Sequence, residues 1–376
     1  MDDIKKRLTI LVRSIGPYHN ARFKALQKSF EVSVIETRPF LNEYDWNKNE
    51  NKEIGYNIEP VPNISKFKRI IFIWKTLKKQ DPQAIFTHGW ADFEYHLALV
   101  YSKLNGIKII TGCDSTFTDT SRNYFKEKIK GIVLKQFNAF ISAGKRSDEY
   151  LKSLNINKNI FKPYDVVDNN YFLKKTGEFR KNPELIKKFD LPKKYILNVS
   201  RFIPKKNHLM LIEAYHETLL SNPGFPYDLV LVGSGELKQQ IEHSINKPGL
   251  LNRVRIFPFA QYSELPLFYA YAGIFILASK TDQWGLVVNE AMASGLPVLV
   301  SEGCGCADDL VYNKINGFKF IPEKHEIIKI LKELLNYNED ELSLMGNKSK
   351  EIISNYYGLN NFDAAFQQIL KNNNRC

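Results

Sequence analysis

The sequence predicts an α/β protein built as two successive doubly wound domains. Three observations carry this. Short apolar runs alternate with longer amphipathic ones along the chain. The pattern restarts after a polar gap at residues 168–190. The 376 residues exceed what one compact domain of roughly 100–200 residues holds. Strands alternating with helices imply crossover units and parallel sheets covered on both faces. A single closed barrel would not need the polar gap.

The first array starts with a strand over residues 8–12 and a helix over 22–30, then a strand over 32–36. Residues 38–60, rich in Asn, Lys and Glu, read as a mobile surface loop. Strands follow at 84–88, 107–111 and 139–142, with helices at 68–79, 91–105 and 121–136 between them. The gap, with its charges, Gly177 and Pro183, reads as a linker plus a short helix. The second array has strands at 195–200, 228–232, 254–257, 273–278 and 297–300 and helices at 208–221 and 236–246. Helices at 323–336 and 339–354 close it, and a last helix at 361–371 packs elsewhere. The expected division is an N-terminal domain 1–168, a linker 169–194, a C-terminal domain 195–355 and a final helix within 356–376 returning to the N-terminal domain.

Hydrophobic residues make up 44% and aromatics 13%, enough for two cores, which excludes a disordered, collagen-like or disulfide-stapled chain. No apolar run approaches the ~20 residues of a membrane span. Residues 1–11 are charged before a short strand-like run and lack a signal-peptide pattern. Four cysteines (Cys113, Cys304, Cys306, Cys376) suit a reducing cytoplasm, and Cys304 with Cys306 is too sparse for zinc. The net charge is +12. Scattered surface lysines explain that charge, as do phosphate esters or an anionic membrane as partners. Nucleic acid is not expected, since no zinc-finger or RNP-type signature occurs.

Ligands of open α/β sheets sit beyond the carboxyl ends of the strands. Arg201 falls at such an end, and Lys206 lies near the start of the next helix. Cations at a helix N-terminus are unfavourable alone, and a bound diphosphate would relieve them; a solvent-exposed basic turn is the plainer alternative. Gly233-Ser234-Gly235 makes a strand–turn–helix junction, but Lys238 stands where a dinucleotide fingerprint needs its third glycine. The richest segment is residues 281–297. Asp282 and Glu290 are separated by seven residues, and eight helical steps would set them ~12 Å apart, suited to gripping two parts of one extended ligand. Free N–H groups at Gly285, Leu286 and Val287 could cradle phosphate. A core helix explains the apolar neighbours of Glu290 but not an acid among them.

Taken together, residues 195–322 resemble the donor-binding domain of the GT-B glycosyltransferases, specifically the retaining glycosyltransferase family 4. The resemblance rests on Arg201 with Lys206, on Gly233-Ser234-Gly235, on the acid-x7-acid run with Gly285-Leu286-Val287, on Glu290 through Val298, and on Asn316-Gly317. The first domain is similar more loosely, through Gly16-Pro17-Tyr18-His19 and Val167-Asp168. The resemblance implies two Rossmann-like domains facing a cleft. It implies that Arg201 and Lys206 hold the donor diphosphate, that Glu290 accepts hydrogen bonds from the ribose, and that Asp282, where the family usually has Glu, faces the transferred sugar. It places Gly16 under the diphosphate, and the backbone of Gly285, Leu286 and Val287 against sugar or phosphate. Asp114 stands near the place where the family often has His, and His88 follows another strand.

The implied activity is metal-independent, cofactor-free retaining transfer of a hexosyl-type sugar. The donor is a nucleotide-sugar, with UDP-sugar as first candidate, and the acceptor a glycan or lipid-linked molecule of cell-envelope polysaccharide or glycolipid synthesis. Tyr18, His19, Arg22, His88 and the segment 114–122 are the acceptor-side candidates. Phe67, Ile70, Ile71, Trp74 and Leu77 share one helical face among lysines, which reads either as a helix packed on its sheet or as a peripheral membrane helix. The expected location is cytoplasmic, at the inner face of the membrane if that helix docks there. The competing readings are a non-catalytic GT-B protein that binds nucleotide or glycan, a UDP-sugar 2-epimerase and, least supported, a dehydrogenase.

Overall fold

The structure, a computed structural model, describes residues 5–40, 46, 55–119 and 122–371. The chain divides into two compact units, one formed by Met1–Asp168 with Tyr357–Cys376, the other by Asn169–Tyr356.

The first unit runs β1 (Lys6–Val12), α1 (Pro17–Leu26), β2 (Phe30–Glu36), β3 (Asn57–Pro60), α2 (Lys66–Gln80), β4 (Ala84–Thr87), α3 (Phe93–Asn105), β5 (Lys108–Cys113), α4 (Tyr124–Leu134), β6 (Ala139–Ser142), α5 (Lys145–Ser153) and β7 (Ile160–Phe161). Among the described residues its sheet is parallel throughout, in the order β3-β2-β1-β4-β5-β6-β7. The order reverses between β1 and β4, which opens a crevice beyond their carboxyl ends. One face is covered by α2 to α5 through Ile73, Leu77, Tyr95, Leu99, Leu134 and Leu151. The other carries α1 and the C-terminal helix Leu359–Lys371, whose Phe366 packs against Phe30 and Phe86. Lys6 and Lys108 tie that helix down by donating to the Leu370 and Ile369 carbonyls at 2.8 and 3.3 Å.

Three sequence expectations shift here, and a fourth falls partly outside the described residues. The first helix begins at Pro17, not at residue 22, because Pro is preorganised for the first helical position. Residues 57–60 of the expected loop form the edge strand β3; residues 41–45 and 47–54 of it lie outside the described residues. Residues 120 and 121, within the expected helix 121–136 and the segment 114–122, also lie outside them. The proposed membrane face of α2 is divided: Leu77 is in the core and Trp74 packs edge-on to Tyr101, while Phe67 and Ile71 stay exposed.

The second unit runs α6 (Asn169–Arg180), α7 (Glu184–Lys188), β8 (Tyr195–Val199), α8 (His208–Ser221), β9 (Asp228–Val232), α9 (Lys238–Ser244), β10 (Val254–Phe257), α10 (Leu265–Tyr271), β11 (Ile274–Leu277), α11 (Leu286–Ala293), β12 (Val298–Ser301), α12 (Ala307–Leu310), β13 (Gly317–Phe320), α13 (Lys324–Glu333) and α14 (Glu339–Tyr356). Its parallel sheet has the order β10-β9-β8-β11-β12-β13 among the described residues, with the switch between β8 and β11. The segment expected as a linker plus a short helix holds two helices, α6 and α7, and belongs to this unit. Phe172 is buried edge-on to Tyr262 and Tyr269. Arg180 donates to the Ala270 and Ser294 carbonyls at 2.8 Å each. Buried Phe172 and Thr176 lie one helical turn apart, so the segment looks polar in sequence although it is packed.

Candidate active site

The switch point of the second sheet collects the loops that follow β8 and β11. Asn198, fully buried in β8, donates to the Ile276 carbonyl of β11 at 2.8 Å. Ser200 donates to Asn198 Oδ1 at 3.0 Å and shares a hydrogen bond with His208 Nε2 at 2.9 Å. Burial and the Lys206 charge lower the His208 pKa to about 3, so this imidazole is neutral. The network holds the stretch carrying Arg201 and Lys206. Arg201 is exposed, and Lys206 is buried at the end of a short 3-10 turn, Pro204–Lys206.

The Gly233-Ser234-Gly235 turn braces the same stretch from β9. Phe202 N donates to the Ser234 carbonyl at 2.7 Å, and Leu237 N to the Phe202 carbonyl at 2.9 Å. A Cβ on Gly233 would stand 2.0 Å from the Ser200 carbonyl oxygen. The glycine is therefore required for backbone to lie on backbone, whatever else touches the turn.

The loop after β11 is anchored on two sides. Lys280 N donates to the Lys205 carbonyl at 2.8 Å, which joins the loop to the Lys206 turn. On the far side Gly303-Cys304-Gly305-Cys306 clamps it: Asp282 N donates to the Gly303 carbonyl, Gly305 N to the Asp282 carbonyl and Cys306 N to the Trp284 carbonyl, at 2.9, 3.0 and 3.2 Å. A side chain on Gly305 would meet the Gln283 carbonyl oxygen at 1.8 Å. Burial and the nearby Asp282 push the Cys304 thiol up to about 12, so it is inert packing. Within this frame the Lys206 ammonium donates to the Asp282 carboxylate, an ion pair of which little is exposed.

Gly285 caps α11 at φ 104°, in the left-handed region that favours glycine. The helix begins at Leu286, so Asp282 lies in the loop and Glu290 in the helix, as expected, and the ~12 Å of eight helical steps does not measure their separation. The first-turn N–H groups of Leu286 and Val287 have no intrahelical acceptor, and both residues are partly exposed. Glu290 is completely buried, and its Oε2 accepts a hydrogen bond from Tyr269 Oη at 2.7 Å. Trp284 Nε1 donates to Asn289 Oδ1 at 2.9 Å, locking the loop onto the helix.

In the first unit a second polar cluster lies at the carboxyl ends of β1, β4, β5 and β7. Gly16 has φ −111°, a conformation open to any residue, and donates its N–H to His19 Nδ1 at 3.1 Å. His19 and His88 meet edge to face with ring centroids 4.7 Å apart. His88 Nδ1 shares a 2.6 Å hydrogen bond with Tyr164 Oη, while its buried Nε2 has no hydrogen-bond partner among the described residues. Burial keeps both imidazoles neutral, lowering His19 to about 3 and His88 well below its ordinary value.

Arg22, expected to face an acceptor, is instead buried. It donates to Asp165 Oδ1 and to the Val166 carbonyl, both at 3.1 Å, and its guanidinium stacks 5.2 Å from the Tyr164 ring centroid. Asp114 sits partly buried just past β5. Burial first, then the Asp165 charge, pushes its carboxyl up to about 7. Tyr18 meets Trp46 edge-on at 6.1 Å.

The structure thus brings Arg201, Lys206, Gly233, Asp282, Gly285, Leu286 and Val287 to the strand-end side of the second unit's sheet, with Glu290 buried in the helix behind them. Gly16, His19, Arg22, His88 and Asp114 share the corresponding surface of the first. Asp165, Tyr164 and Tyr269 were missed. Asp165 carried the signal that marked Glu290, an acid in an apolar run; Tyr269 carried none. Among the described residues no group of three or more His, Cys, Asp or Glu is arranged to hold a metal ion.

The fold and these comparisons define a class. The two doubly wound units constitute a GT-B fold, and residues 181–352 match the family described as glycosyl transferases group 1. The Anabaena HepE structure, solved with UDP and glucose, superimposes over 97% of this chain and 99% of that one with a TM-score of 0.78 at 16% identity. An uncharacterized glycosyltransferase of Haemophilus influenzae is 28% identical over 48% of this chain and 50% of its own length, so the match spans about half of that relative. A longer match, 25% identical over 79% of this chain and 77% of the relative, is to the Escherichia coli UDP-Gal:alpha-D-GlcNAc-diphosphoundecaprenol alpha-1,3-galactosyltransferase.

Proposed function

We propose that the chain is a glycosyltransferase of the retaining family 4 type that moves a hexosyl group from a UDP-sugar to a glycan or lipid-linked acceptor. The observation that carries this is the placing of Arg201 and Lys206 in the stretch after β8 and of Glu290 in α11 after β11, on the two sides of the second sheet's switch point. Arg201 and Lys206 receive the diphosphate, the N–H groups of Leu286 and Val287 face phosphate or sugar, and Glu290 anchors the ribose. The relatives support the donor and acceptor classes. One is named for UDP-Gal and a diphosphoundecaprenol-linked acceptor, and a structural neighbour was solved with UDP and glucose.

The chemistry asks little of the protein beyond preorganised charge. As the bond from the sugar C1 to the phosphate oxygen breaks, negative charge grows on the nucleotide. A guanidinium, an ammonium and a helix N-terminus take it up without a metal or cofactor. The acceptor oxygen bonds to C1 on the face the nucleotide leaves, and its proton passes to a donor phosphate oxygen. Asp282 faces the sugar in the donor unit, and in the first unit Asp114, Tyr18, His19 and His88 are the catalytic and acceptor-side candidates. Arg22 holds Asp165 rather than acceptor. The setting is envelope polysaccharide or glycolipid synthesis at the cytoplasmic face of the membrane.

The test is a panel of nucleotide-sugars screened for thermal stabilisation and slow hydrolysis. A UDP-sugar should stabilise and be hydrolysed by wild type, with both effects lost in Arg201→Ala. Hydrolysis absent while binding persists would identify a non-catalytic binder. A best ligand without a diphosphate would overturn the reading.

A further inference from the structure

Helix α4 is oriented opposite to a solvated surface helix. At about 100° per residue, Phe125, Ile129 and Ile132 form one stripe, with Tyr124, Lys128 and Lys135 along one border and Lys126 along the other. That stripe faces outward: Tyr124, Phe125, Ile129 and Ile132 are 75, 72, 63 and 59% exposed. The inward face is the polar one. Glu127 accepts from Tyr150 Oη at 2.6 Å and pairs with Lys130 at 3.0 Å. The Lys130 ammonium sits over the Trp90 ring, 4.9 Å from its centroid. Gly131 lies against the Leu154 carbonyl, which a Cβ would approach to 3.3 Å, and Leu134 is in the core. These contacts fix the helix's rotation, so its apolar side cannot turn inward. Phe117, in the loop before it, is half exposed as well.

We infer that this face of α4 docks on an anionic phospholipid surface. Its charge selects the occupant. Lys126, Lys128 and Lys135 border the stripe, whereas Arg122 and Lys130 are turned inward in ion pairs with Asp119 and Glu127, in a chain of net charge +12. Large apolar side chains bordered by lysines are what an interfacial helix inserts beneath lipid headgroups, and a patch of this kind is unusual on a free surface. A second copy of the chain fits less well, because a two-fold contact through the stripe would bring its bordering lysines against their own copies. The inference moves membrane docking from α2, whose predicted face is divided between core and solvent, to α4. It does not depend on the glycosyltransferase reading.

The full chain is sedimented with vesicles of equimolar phosphatidylglycerol and phosphatidylcholine, and with phosphatidylcholine alone, at low and high salt. Wild type should bind the anionic vesicles at low salt and not the neutral ones. Ile129→Glu/Ile132→Glu and Lys126→Glu/Lys128→Glu should each weaken binding at least about tenfold. Phe67→Glu/Ile71→Glu on α2 should stay within about twofold of wild type. The substituted side chains are already exposed, so thermal melts should match wild type and confirm folding. Stabilisation by UDP-glucose, read on the same samples, should be unchanged; its loss across all samples would fault the proposed function and leave the docking result standing. Absent binding of wild type to the anionic vesicles would overturn the inference. So would α4 variants that bind like wild type, or a wild-type dimer that the α4 variants dissociate.

Discussion

The Lys206–Asp282 ion pair makes the proposed donor site a competition, and Asp282→Asn tests it. The ammonium assigned to the diphosphate is held by a carboxylate, and both side chains are mostly buried. A charge-assisted hydrogen bond in such a setting contributes about 1.5–3 kcal/mol. A diphosphate must loosen this bond and also approach the Asp282 charge. Replacing the carboxylate by an amide keeps the shape and removes both obstacles. Since part of the pair's energy survives through the Asn carbonyl, the net gain should be about 1.4 kcal/mol, a tenfold tighter binding of UDP. Transfer should fall, because the side chain assigned to the sugar has changed. The assay is titration calorimetry with UDP on wild type and variant, beside UDP release from UDP-glucose. The variant should melt within a few degrees of wild type, as a loss of about 1 kcal/mol implies. Equal or weaker UDP binding by a folded variant would show that Lys206 does not meet the diphosphate.

Further outcomes follow from other contacts. Glu290→Gln keeps an acceptor for Tyr269 and the helix volume, so the fold should hold while UDP affinity drops about tenfold, the share of one hydrogen bond to a charged group. Gly233→Ala drives a methyl group onto the Ser200 carbonyl; it should destabilise the chain by about 3 kcal/mol in a denaturant melt and abolish UDP binding. Asp114 gives a pH signature. Its carboxyl keeps a proton up to about pH 7 in the folded state, against an ordinary value of 3.8, so unfolding between those values releases a proton and stability falls as pH rises through the window. Asp114→Asn removes that slope. Above pH 7 the variant should be the more stable by about 2 kcal/mol, discounted for partial exposure, and the difference should close toward pH 4. Parallel stability curves would contradict the assignment.

The residues that declared themselves in sequence did so through an imbalance between residue type and position. Glu290 is an acid inside an apolar helix, and Arg201 and Lys206 are cations at a strand end. What stayed hidden depends on partners distant in sequence. Nothing local says that Lys206 pairs with Asp282, that Tyr269 donates to Glu290, or that the Gly303–Cys306 stretch clamps the loop before α11. Residues 169–180 read as a linker because only Phe172 and Thr176 face inward, and the covering aromatics, Tyr262 and Tyr269, lie ninety residues on. For α4 the helical period is plain, but the period alone assigns its apolar stripe to the core. The Glu127–Lys130–Tyr150 contacts and the close approach of Gly131 reverse that assignment.

The most direct trial is a crystal structure with intact UDP-glucose. The diphosphate should lie between the Arg201 guanidinium and the Lys206 ammonium, with the ribose hydroxyls on Glu290. A well-ordered nucleotide bound away from these three residues would contradict the account.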